Sequence, residues 1–234
     1  MVPPLKMQKY LYKAGATALR GSIRKPYFQD LGEHLAISTY SGQSGHIEAR
    51  RDAFALFEDV KYESARTEII AVQQGNVYTT TLTSQVYGLQ IGKRLSADEI
   101  TCRLQSVYDS GAYPGRCFPR ILPTGSTIRN LKIDGKVQEL RFPPAFTQEQ
   151  PAIAAFLRGE RDKDTTAVPG FIPDKIQVPD FGTIHYAEWT WAHPQEQHRQ
   201  HLTMLRLSLG CDFGGEIDGG TGYSDGAGWP PISG

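Results

Sequence analysis

The chain lacks net charge, long apolar runs, paired cysteines and every common catalytic signature. Lysine plus arginine and aspartate plus glutamate both number 25 in 234 residues, so no global field draws it to nucleic acid or an anionic surface. No stretch approaches the ~20 apolar residues of a membrane-spanning helix. Cys102, Cys117 and Cys211 are an odd set without a CxxC pair, which implies no disulfide framework. Cys102, in an apolar stretch, is expected to be a small buried hydrophobe. GxSxG, GxxxxGK[ST], HExxH and a dinucleotide-binding glycine fingerprint are all missing. No cofactor is called for. The first 25 residues carry no apolar segment of secretory length, so the default expectation is cytoplasmic, with an extracellular location left open.

What is present is strand pattern. Thr183–Trp191 and His201–Leu209 alternate as the two arms of a hairpin. Setting Glu188 opposite Arg206 places Trp189 opposite Leu205, Ala187 opposite Leu207 and Trp191 opposite Thr203. One face, with Ala187, Trp189, Trp191, Leu205, Leu207 and Leu209, is then core. The bend 193–200 is polar, and Gly210 ends the return strand. Thr67–Gln73 and Val77–Ile91 form a second hairpin around Gln74-Gly75-Asn76. Residues 97–108 fit a strand better than the helix that Ser96-Ala97-Asp98-Glu99 suggests. Ile128–Ile133 and Val137–Phe142 flank an Asp134-Gly135 turn. Thr147 with Gln150 caps a helix over 148–158, stopped at Gly159. A short helix is weakly signalled at 29–35, 38–46 is expected to be loop, and 51–60 fits helix or strand.

These elements make a mainly β fold, an antiparallel sandwich or flattened barrel with one short helix. Three parts are expected: a basic arm over 1–25, a β-rich domain over 26–210 and a glycine-rich acidic tail over 211–234. The arm holds Lys6, Lys9, Lys13, Arg20, Arg24 and Lys25 without an acid; residues 207–234 hold Asp212, Glu216, Asp218 and Asp225 without a base. Solvated, flexible ends are the simple reading. The alternative is contact between the two, within a subunit or between neighbours.

Tyr78-Thr79-Thr80, Gly125-Ser126-Thr127-Ile128-Arg129-Asn130 and Leu205-Arg206-Leu207-Ser208-Leu209-Gly210 resemble pieces of uncharacterised bacterial β-rich proteins. The resemblance implies a bacterial source and no activity.

Candidate site residues follow from composition. His193, His198 and His201 lie on or beside the hairpin bend and are the candidate metal ligands, although their spacing matches no known zinc motif. Lys6, Lys9 and Lys13 at one end, and Asp218, Tyr223, Asp225 and Trp229 at the other, are the candidate interaction residues. Sticky, oppositely charged ends on an uncharged β body point to a non-enzymatic structural or binding protein that self-assembles head to tail through its termini or sheet edges. Two rivals are a small β-barrel enzyme using the hairpin histidines, with or without a metal, and a carbohydrate-binding module with an exposed aromatic row.

Overall fold

The computed structural model describes residues 10–25, 27–32, 36–56, 59–110, 120–142, 146, 175–191, 200–210, 214–224 and 227–228. Two antiparallel sheets pack face to face, and among these residues they do not close into a barrel. No described helix is long and apolar enough to cross a membrane. The helix expected over 148–158 and the bend at 192–199 lie outside the described residues.

The first sheet contains the two ends of the chain. Strand β1 (Tyr10–Ile23) lies between β17 (Gly215–Ser224) on one side and β2 (Gln29–Asp30) and β3 (Ile37–Gly42) on the other. Beyond β17 follow β16 (Gln200–Leu209), β15 (Gly182–Trp191) and β14 (Ile176–Val178), while β18 (Ala227–Gly228) continues β17 along β1. From Tyr10 to Ile23 the expected basic arm is therefore an interior strand, and so are residues 215–224 of the expected acidic tail. Alternation on β1 and the Gly219-Gly220-x-Gly222 run of β17 explain why: both present a narrow, apolar inner face to the other sheet.

The second sheet is a meander of long strands. β4 (Gly45–Arg51) and β5 (Phe54–Leu56) share one register against β7 (Ser64–Gln74) and β6 (Val60–Tyr62). Next come β8 (Val77–Ile91) and β9 (Leu95–Asp109), turning at Gly75-Asn76 and at residues 92–94. Short strands β10 (Arg120–Leu122), β11 (Thr127–Arg129) and β12 (Lys132–Ile133) line the far side of β9, and β13 (Lys136–Val137) folds back around Asp134-Gly135. Both the 97–108 strand and the Gly75-Asn76 hairpin match expectation, because their partners are neighbours in sequence. Residues 38–46 do not form a loop: they contribute most of β3 and the start of β4, with only the 43–44 turn between. Gln29–Asp30 is strand rather than helix, and the ambiguous 51–60 stretch gives β5 and the start of β6.

Small side chains let the sheets approach closely. Ala14, Ala16 and Ala18 of β1 are buried. A Cβ at Gly222 would run into Leu82 and Cys102 of the opposite sheet. Side chains therefore bond across the gap: Ser84 Oγ donates to the Thr17 carbonyl at 2.7 Å, and Ser38 and Thr67 share a hydrogen bond of 2.8 Å. Farther out, where β15 extends past the small-residue stripe, Trp189 and Tyr186 fill the space edge-on against Phe146 and Phe142.

A crease crosses the first sheet. Ala187, Met204, Gly220 and Ala18 occupy one transverse row, and the regular pairing skips every one of them. Ala187 and Gly220 have positive φ, 52° and 62°. On either side the inward set shifts by one residue: Leu205 and Leu207, but also Met204 and Leu202, are core. The expected hairpin register is corrected accordingly. Trp189 pairs with Leu202, not Leu205, and His185 stands opposite Arg206. Uniform alternation cannot locate such a register, because it carries no signal for a row at which the inward face changes parity on every strand.

Candidate functional site

Beyond the crease, Glu188 turns to the outer face of the first sheet and meets a row of charged residues. His185, Arg206, Asp218 and Arg20 are directly cross-strand neighbours on β15, β16, β17 and β1. Asp218 is only 5% exposed. Its Oδ2 accepts from Arg20 Nε (2.9 Å) and Nη2 (2.7 Å), and its Oδ1 from Arg206 Nε (3.0 Å). Arg206 also pairs with Glu188 (3.2 Å) and Glu216 (2.8 Å), and His185 Nδ1 lies 3.5 Å from Glu188. Burial lowers the pKa of the Arg206 guanidinium, but Asp218, Glu188 and Glu216 outweigh that and hold it above its ordinary value. The expected Glu188–Arg206 pair thus forms, reached diagonally rather than straight across. Each carboxylate of this network already faces a guanidinium, so the network ties strands together.

The basic head and acidic tail meet within one chain, through Arg20 and Asp218. Asp218, expected to face a partner, is taken up there. His201 stands opposite Tyr223, their rings 6.4 Å apart. Lys13 is exposed on β1. His193, His198, Lys6, Lys9, Asp225 and Trp229 lie outside the described residues, so of the metal set only His201 is placed. Trp189 is core, as alternation indicated.

A second cluster, one that no spacing in the sequence announces, sits on the outer face of β4 and β7. His46, Glu48 and Glu68 bring ligand-type atoms within 4.8 Å of one another. Glu48 lies directly opposite Glu68, an unfavourable pairing unless a cation intervenes. Arg66 supplies it, 2.9 Å from Glu48 and 3.1 Å from Glu68. The Arg50 guanidinium, with Arg66 beside it, holds the Glu48 carboxyl below its ordinary value. Arginine occupies the bridging position a metal would need.

The third feature is the lateral side where both sheets end. Among the described residues β3 pairs only with β1, and β4 only with β7. Each edge therefore presents backbone donors and acceptors along its free side. β4 carries His46, Glu48, Arg50 and Arg51, the charged guard typical of an exposed edge. β3, Ile37-Ser38-Thr39-Tyr40-Ser41-Gly42, has neither charge nor proline. Exposed large apolar residues lie along this side on different faces: Tyr27 and Phe28 before β2, Ile37 on the outer face of β3, Ile47 on β4, and Ile70 and Val72 on the outer face of β7 in the other sheet. Tyr27 is 76% and Phe28 69% exposed; of the described exposed large hydrophobics only Val137 lies elsewhere. The alternation of Ile37, Thr39 and Ser41 against Ser38 and Tyr40 was the sequence signal for β3, hidden by the adjacent Ser-Gly run.

A family model described as a domain of unknown function, DUF8256, matches residues 10–175. The chain belongs to that family. No curated protein and no solved structure matches it. The DUF8256 match includes β1, the open edge and the whole second sheet, and stops one residue before β14. Arg20, β3 and the His46 cluster lie inside the DUF8256 segment, whereas Asp218, Arg206 and Glu188 lie beyond it.

Proposed function

We propose that this chain is a non-enzymatic structural protein that self-associates through the open β3 edge. The supporting observation is the contrast on one side of the sandwich: β4 is guarded by charge, and β3 is an uncharged strand of six residues whose outer ladder is unpaired among the described residues. An unguarded edge that carries an exposed apolar residue, Ile37, is the arrangement that adds a strand from another chain. Zero formal charge removes long-range repulsion between copies. The termini are a poorer route than the sequence suggested, because residues 14–23 and 215–224 already pair with each other. Molar mass by light scattering over a dilution series tests this reading. A species larger than 26.0 kDa that dissociates on dilution is expected; a monomer at every concentration refutes it.

A further inference from the structure

Which surface of a second copy meets β3 can be argued from the strand itself, given the association reading above. A head-to-tail array needs two different complementary edges. On the opposite side of the first sheet the last described strand is β14, three residues long, and strands β10 to β13 are two or three residues each. Among the described edges β4 is charged, and the stretch of β15 beyond its three pairs with β14 carries His185 and Glu188, so the uncharged β3 has one comparable partner, which is itself.

We propose that two copies pair antiparallel along β3 about a two-fold axis at Thr39, so that the first sheet runs continuously through both. A two-fold axis normal to the sheet keeps outward residues outward. Directly opposed residues in an antiparallel pair share a face, so the axis must pass at a residue and not between two. Thr39 is central, exposed and outward-facing. The register then sets Thr39 against Thr39, and Ile37 against Ser41 of the second copy. No like charges are opposed in it, since β3 has none. Ile37, 48% exposed in the single chain, is covered by the second copy. The closed dimer replaces the head-to-tail array that the charged ends suggested.

Single cysteines at Ile37, Thr39 and Ser41, in a chain with Cys117 and Cys211 changed to serine and the buried Cys102 retained, read the register directly. A residue on the axis meets its own copy at about 4.5–5.5 Å, within disulfide reach. A residue two positions away is about 13 Å from its own copy at the ~3.3 Å rise of a strand. Under mild oxidation Thr39→Cys is expected to cross-link with itself. Ile37→Cys and Ser41→Cys alone should stay uncross-linked, and an equal mixture of the two should form the mixed disulfide. Thermal unfolding of each reduced variant verifies that it folds. Self-cross-linking at all three positions, or at none in a chain that still associates, overturns the antiparallel dimer and leaves the association reading standing. A monomer by light scattering overturns both.

Discussion

Asp218 shows how a residue that looks like a surface contact becomes an internal tie. It stands between two guanidinium groups and joins β17 to its sequence neighbour β16 and to β1 at the other end of the chain. Asp218→Asn keeps the shape but removes the charge, leaving Arg20 and Arg206 one neutral oxygen between them and turning an NH2 donor toward one guanidinium. A loss of about 1–3 kcal/mol in urea unfolding is expected, below the ceiling for fully buried pairs because both arginines reach solvent. Glu216→Gln, at the exposed rim of the same network, should stay within about 0.5 kcal/mol. Equal effects for the two would contradict the placement of Asp218.

Two tyrosines set a pH limit. Burial raises the pKa of Tyr12 and Tyr62 above their ordinary 10.0. A group whose folded pKa is raised contributes stability that is complete below its unfolded pKa and lost as pH rises through the folded one. Stability should therefore fall above pH 10, and tyrosinate absorbance at 295 nm should show these two rings ionising together with unfolding. Ionisation of all described tyrosines near pH 10 in a still-folded chain would be the opposite result. Cys102 belongs to the same class: full burial pushes its thiol far up, so the native chain should protect it from alkylation.

At the scale of elements, the crease and the glycine stripe govern how the sheets fit. Gly220 has φ of 62°, and a Cβ there would lie 2.8 Å from Ile100 and 3.3 Å from Met204. Gly220→Ala combines a backbone cost with overpacking, and a destabilisation of about 2–4 kcal/mol is expected by chemical denaturation. Gly75, also at positive φ but with open space around its Cβ direction, should lose only the backbone part, about 1 kcal/mol. The same features explain what was legible in sequence. The β7–β8–β9 meander could be read because each turn joins partners directly, as Gly75-Asn76 does. The register of β15 against β16 could not, because Ala187 gives no sign in sequence that it will adopt a left-handed conformation. β3 was hidden by serines and glycines that resemble a loop, although its own alternation is regular.

For the molecule as a whole, the least legible feature was that the ends of the chain make the centre of a sheet. β1 carries six cations' worth of apparent arm in its neighbourhood, and β17 is so rich in glycine that both resemble disordered ends. Only their mutual pairing, across nearly two hundred residues, makes them strands. A chain ending at residue 175, where the family match stops, would strip β1 of its β17 partner and expose the core of the second sheet. It is expected not to fold cooperatively, with dispersed amide signals lost by NMR, whereas a chain ending at residue 228 should fold. A well-dispersed spectrum from the shorter chain would mean that the second sheet is stable alone.

The proposed function rests on the open β3 edge, and molar mass is its direct readout. Light scattering of the native chain and of Thr39→Lys should be compared over the same dilution series. The substitution sets an exposed charge at the centre of the edge, opposite its own copy in the dimer, without touching the core. A native dimer that dissociates on dilution, with Thr39→Lys monomeric throughout and as stable to heat as the native chain at a concentration where that is dissociated, is the expected result. Identical molar mass for the two chains at every concentration, whether monomeric or associated, would place function elsewhere than β3.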